Sequence, residues 1–245
     1  MSRVLALWAV PRSTSTAFEW MMRQRGDRVC FHEPFGEAWY QGETPLWPRV
    51  TRESVRTPGL TLEGVFNRLV ALAAETPVFI KDFPHYIASL WNDDFLSHFT
   101  HSFLIRDPAE TIPSLHAHWP DFHEAEVGNP EQRMLFDRLV ESTGTVPPVI
   151  DSGDLLEDPE TVTRLWCEAV GIRFVPEAMT WSPGPRAEVS WWDGGAFHAN
   201  LRKSAGLRRQ RRDYPQVEAL PERVRAIHDR MQPHYSHLRG HRIRL

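Results

Sequence analysis

The sequence predicts a single α/β domain with a mostly parallel sheet flanked by helices, on three observations. Short apolar runs recur along the chain, and each is followed by a polar turn and then by a stretch with helical spacing. No internal repeat or low-complexity linker divides the 245 residues, a length that buries a substantial core.

Val4 to Val10 is continuously apolar, as a strand covered on both faces of a parallel sheet must be. The loop Pro11 to Ser15 follows, and a helix begins near Thr16 and runs to Gln24. Val29 to Phe31 reads as a second strand, ending at His32-Glu33-Pro34. From Gly36 to Gly59 the chain is rich in Pro, Gly, Arg and aromatics without a period, which predicts an irregular lid or substrate loop. Leu62, Val65, Phe66, Leu69, Val70 and Leu72 restore a helical stripe. Pro77 to Lys81, Ser102 to Ile105 and Val146 to Asp151 are the next three strands. A helix over Pro159 to Val170 is stopped by Gly171, and a last amphipathic helix spans Gln216 to Met231.

The composition narrows the function. Hydrophobic residues make up 41% and charged residues 24%, the balance of an ordinary globular protein. A net charge of −4 gives no basic field for nucleic acid or an anionic membrane, so an anionic ligand needs a local cluster of cations and amides. Ten tryptophans fit an aromatic-lined pocket or, for the larger share, the core. Cys30 and Cys167 form no CxxC pair, and free buried thiols are the expectation. The first apolar run is too short for a signal peptide or a membrane span, and a cytoplasmic protein is expected.

Three segments carry chemistry. Pro11-Arg12-Ser13-Thr14-Ser15-Thr16 lies between the first strand and the first helix, where amides and the helix dipole favour an anion. It has no glycine and is not a Walker A loop, and its hydroxyls could equally serve as helix caps. Arg106, closing the fourth strand, stands eight residues before Ser114, so a phosphate could take the fork of one and the hydroxyl of the other. A structural ion pair is the alternative for Arg106. Arg202-Lys203-Ser204, with Arg208 and Arg209 behind, could wrap a phosphate or be a solvated charge run.

In this order the three segments resemble the sulfotransferases that use 3′-phosphoadenosine 5′-phosphosulfate (PAPS), in particular their bacterial and carbohydrate-type branch. Pro11 to Thr16 resembles the family's 5′-phosphosulfate loop, Arg106 and Ser114 its 3′-phosphate pair, and Arg202-Lys203-Ser204 its later basic motif. Lys81-Asp82-Phe83-Pro84 resembles the K-T-H-x-P segment, and Asp151 to Pro159 the E-D-L-x-x-[DN]-P block. The resemblance implies a P-loop-like fold, PAPS as donor, no metal, and a small-molecule acceptor with a hydroxyl or amine. Ser152 stands where cytosolic members often carry a Tyr near the adenine. Thr14 replaces the usual Gly, which predicts a loop conformation that a β-branched residue tolerates.

Phe83 stands where cytosolic members carry their catalytic His, whereas His32-Glu33-Pro34 resembles the acidic E-P pair of other members. The implied roles are charge neutralisation by Arg12 and Lys81 and proton removal by Glu33, with His32 and His85 as the other candidate bases. If the backbone stays extended at His32 and Glu33, their side chains face opposite ways and only one reaches the acceptor. The segments Gly36 to Gly59 and Trp181 to Ala199, with Trp191 and Trp192, are expected to wall the acceptor pocket. A P-loop phosphotransferase would need a Lys in a glycine-rich loop and an Asp for Mg²⁺, and an inactive nucleotide-binding module remains a third reading.

Overall fold

The structure, a computed structural model, describes residues 3–47, 56–189, 198–209 and 214–244. Five strands form one sheet in which every neighbouring pair is parallel: β1 (Val4–Trp8), β2 (Val29–His32), β3 (Val78–Asp82), β4 (Phe99–Ile105) and β5 (Val149–Asp151). Their order is β2-β3-β1-β4-β5. The central strand β1 is buried along its whole length, which is why it reads as an unbroken apolar run.

The helices are α1 (Ser15–Gln24), α2 (Pro34–Gln41), α3 (Leu62–Ala73), α4 (Asp93–Ser97), α5 (Pro108–His118), α6 (Asn129–Thr143), α7 (Ser152–Glu157), α8 (Pro159–Ala169), α9 (Ala199–Lys203) and α10 (Glu222–Arg239). α3 starts where Thr61 caps it, its hydroxyl accepting from the Gly64 amide at 3.0 Å, and it buries Leu62, Val65, Leu69 and Ala73 on one face. α1 buries Phe18, whose ring meets the edge of Trp166 from α8 at 4.9 Å. The Gln132 amide of α6 donates to the carbonyls of Trp8 and Leu104, both at 3.0 Å, and so ties off the carboxyl ends of β1 and β4.

The chain leaves β1 towards β2 on one side and crosses from β3 to β4 on the other. The carboxyl end of β1 is therefore the topological switch point of the sheet, where open α/β sheets bind ligands. Among the described residues, no helix is long and apolar enough to cross a membrane.

Three elements differ from expectation. The segment read as irregular from Gly36 begins inside α2, which starts with Pro34 at its first position and buries Phe35, Ala38 and Trp39. Gly36 fits there because a β-carbon would meet the Tyr86 ring at 2.5 Å. β5 begins at Val149 rather than Val146, since Pro147 and Pro148 have no N–H for the ladder; the Pro148 carbonyl still accepts from Phe103 at 2.9 Å. α10 starts at Glu222, after a short turn over Val217–Ala219, and continues through Pro233 to Arg239. Met231, Tyr235 and Leu238 keep its buried stripe going past the proline. Residues 48–55 and 190–197, which include Trp191 and Trp192, lie outside the described residues.

Candidate active site

A cavity opens at the switch point, lined by the loop and first turn Pro11 to Ala17. Arg12 and Thr14 both have positive φ, 65° and 74°, so the chain folds back and starts α1 at Ser15. The first amides of the ten-residue helix α1 have no carbonyl one turn back and head the cavity. Thr14 thus adopts the left-handed conformation that favours glycine, rather than one that suits a β-branched residue. Its hydroxyl oxygen accepts from Arg106 Nη1 at 3.1 Å and Ser152 Oγ at 2.9 Å, two bonds that offset the backbone strain. The Ser13 hydroxyl donates to the Val10 carbonyl at 2.6 Å and pins the turn. Burial lowers the pKa of the Arg12 guanidinium, and the neighbouring Tyr214 opposes that shift.

A second constellation sits where β2 and β3 end side by side. Register pairs His32 with Lys81, and Glu33 then turns left-handed at φ 45° and ψ 53° to start α2. Lys81 is fully buried and pairs with Glu33 Oε1, while the Glu33 side chain remains 12% exposed to the cavity. His32 Nδ1 bonds Glu19 Oε2 at 2.6 Å, which leaves Nε2 3.7 Å from Glu33 Oε1. Burial would raise the Glu19 carboxyl, but His32, Lys81 and Arg23 outweigh it and hold it at about 2. Burial, with Glu33, pushes the Asp82 carboxyl well above its usual range although it accepts from the Phe35 and Phe83 amides at 2.8 and 2.9 Å. The bond from Phe35 fastens the start of α2 to the end of β3.

Both His32 and Glu33 line the cavity, contrary to the either-or expected of an extended backbone, because the left-handed turn at Glu33 breaks the alternation. The ring of His198 stands edge-on to His32 at 5.0 Å and also lines the cavity. Burial, aided by His32, Lys81, Arg12 and Arg202, lowers its pKa to about 2, so it is neutral. Tyr40, Phe83, Tyr86, Leu115, Trp119 and Glu126 also line the cavity.

Several sequence-predicted residues reach the cavity only through others. Ser114 is buried and its hydroxyl accepts from Arg12 Nε at 3.0 Å. Arg106 lines the cavity but bonds Glu110 and the Thr14 hydroxyl. Ser152 is buried and holds Thr14. Arg202 and Lys203 are exposed, and Ser204, Arg208 and Arg209 are the members of that segment that line the cavity. Lys81 touches the cavity through Glu33.

His85 is buried outside the cavity lining, its ring 5.5 Å from Trp39 and 4.2 Å from Tyr86, with no bonded partner for either nitrogen among the described residues. Glu19, Asp82, Glu126 and His198 were not singled out in the sequence. Glu19 had the one legible signal, a carboxylate in the apolar stripe of α1. Among the described residues, no group of three or more His, Cys, Asp or Glu side chains could hold a metal.

The chain is 27% identical over 219 residues to branched-chain-amino-acid aminotransferase-like protein 2 of Arabidopsis thaliana, a match covering 89% of this chain and 38% of that protein. It is 26% identical over 246 residues to protein 1 of the same name, covering 97% and 42%. It therefore spans about two fifths of these curated relatives. Two solved structures share its fold. The sulfotransferase domain from the Synechococcus PCC 7002 olefin synthase superposes with TM-score 0.53 and 14% identity over 96% of this chain and 94% of that one. The sulfotransferase domain from the curacin biosynthetic pathway superposes with TM-score 0.50 and 12% identity over 94% and 98%. The family described as Sulfotransferase domain matches residues 2–235, nearly the whole chain with both constellations, and the chain belongs to that family.

Proposed function

We propose that this protein transfers the sulfuryl group of PAPS to a hydroxyl or amine of a small acceptor, as a cytoplasmic enzyme. One observation carries the reading: Arg12 of the loop and the Glu33 carboxylate line the same cavity. Arg12 and the first-turn amides of α1 suit the 5′-phosphosulfate, and Arg106, Arg208 and Arg209 suit a second phosphate. The two free cysteines, Cys30 and Cys167, support a reducing compartment.

The acceptor oxygen or nitrogen attacks sulfur while the sulfur–oxygen bond to the 5′-phosphate breaks, leaving that phosphate with the charge. Arg12 neutralises it, with no covalent help from the protein. Glu33 takes the acceptor's proton. Its Oε1 is held by Lys81, and its Oε2 has no bonded partner among the described residues. Glu19 and His32 keep the pair in register.

Labelled PAPS with a panel of phenols, alcohols and amines is the direct test. A sulfated product establishes transfer. Calorimetric binding of ATP but not of the desulfated nucleotide PAP would overturn it in favour of a phosphotransferase.

A further inference from the structure

Resting on that reading, we propose that Trp181 is a positioning residue for the second phosphate of the donor. Through the hydroxyl of Ser204 it fixes the segment that brings Arg208 and Arg209 to the cavity. α9 ends at Lys203, and at five residues it is too short to hold its own shape. The chain from Arg202 to Arg209 carries four cations and would be a solvated run if left to itself. It is braced instead by residues 180–184. Thr180 bridges Gly206 in antiparallel pairing, the Trp181 amide donates to the Ala205 carbonyl at 3.2 Å, and the Gly184 amide donates to the Arg202 carbonyl at 2.9 Å. Gly206 suits this close approach, because a β-carbon there would meet the Met179 carbonyl at 3.0 Å.

One side-chain contact completes the brace. Trp181 is buried and does not itself line the cavity, and its indole Nε1 donates to Ser204 Oγ at 3.0 Å. Ser204, which does line the cavity, donates its hydroxyl to the Leu201 carbonyl at 2.8 Å. A hydroxyl has one proton to give, so Ser204 serves the donor by shaping the chain rather than by donating to a phosphate. Burial of the indole does not by itself demand such a bond: Trp20, Trp91 and Trp166 bury their N–H groups with no partner among the described residues. The brace is anchored in turn to α1. Arg186 donates to the Ser182 and Pro185 carbonyls, and its guanidinium lies 4.2 Å from the centre of the Trp20 ring of that helix. The segment that ends in Arg208 and Arg209 is thereby tied to the helix whose first turn heads the cavity, as two phosphates of one nucleotide require.

Calorimetry with PAP and adenosine 5′-phosphate tests this, because only PAP carries the second phosphate. The wild-type protein is expected to prefer PAP. Trp181→Phe keeps an aromatic ring and loses the N–H, and Ser204→Ala loses the hydroxyl; each should narrow that preference about fivefold, the return of one net hydrogen bond. The double variant should narrow it no further, since the two residues act through one bond. Should Trp181→Phe not fold, Ser204→Ala decides alone, as it removes only the hydroxyl oxygen. An unchanged preference in the folded variants overturns the inference, and so does a loss shared equally by both nucleotides, which is what a merely structural contact gives. Losses that add in the double variant overturn it as well. Wild-type protein that binds PAP no better than adenosine 5′-phosphate would sink the donor reading itself, whereas a wild-type preference that the variants leave intact sinks this inference alone.

Discussion

Glu33 closes over the ammonium of Lys81, so the most deeply buried cation of the site meets the cavity only through the carboxylate beside it. The arrangement separates two effects of one substitution. Glu33→Gln should lower turnover at saturating PAPS by about a hundredfold or more, as expected for loss of a general base, with PAP affinity changed by no more than a few fold. It also strands a buried charge, at a cost of about 3–5 kcal/mol in stability. The double variant Glu33→Gln with Lys81→Met should recover the melting temperature but not the turnover. A nearly active Glu33→Gln alongside an inactive His32→Ala would move the proton to His32.

Arg106 carries its own carboxylate. Its guanidinium bonds Glu110 one helical turn along, and Arg209 lies 4.0 Å from the other Glu110 oxygen. A 3′-phosphate would have to share or displace that partner. Glu110→Gln should therefore tighten PAP several-fold and leave adenosine 5′-phosphate unchanged, in calorimetric titrations at low salt where surface charge is least screened. An equal gain for both nucleotides would mean that Arg106 does not meet the 3′-phosphate.

The strands, the loop at the switch point and the order of the motifs were legible in the sequence because each depends on neighbours within a few residues. The site was legible only in part, because its distinctive contacts are long-range. Asp82 fixes the Phe35 amide, so α2 depends on a residue far along the chain and its Pro- and Gly-rich sequence reads as a loop. Arg106 and Ser114 share a helix-start spacing that suggests one ligand, and the Ser114 hydroxyl also accepts from Arg12, a contact that the spacing does not show. Glu126 lines the cavity and accepts from the Tyr40 hydroxyl, a contact between residues far apart in the chain.

Thr14 offers a test of the loop itself. A residue with a β-carbon in the left-handed region costs about 1–2 kcal/mol, and each hydrogen bond to its hydroxyl returns about 1 kcal/mol. Thr14→Gly removes strain and bonds together, so its stability should stay within about 1 kcal/mol of wild type. Thr14→Ala keeps the strain and loses both bonds, and its urea midpoint should be clearly below that of Thr14→Gly. An alanine variant as stable as the glycine variant would show that the loop does not hold φ near 74°.

His85 decides between a buried packing group and a base in the Lys81 to His85 segment. Burial alone lowers its pKa to about 3. An unfolded histidine titrates at about 6.5, so between the two values the unfolded chain binds the extra proton. The contribution of His85 to stability is therefore complete above about pH 6.5 and is lost as pH falls towards 3, at about 1.4 kcal/mol per pH unit. His101, lowered by burial to about 4, and His198, at about 2, add the same sense of dependence. His85→Phe removes one titrating group and two buried nitrogens without partners. The variant should gain more in melting temperature at pH 5 than at pH 8, a difference that packing changes common to both pH values cancel. It should also keep its sulfotransferase turnover. A folded His85→Phe protein without turnover would place the base at His85 and return Glu33 to a structural role.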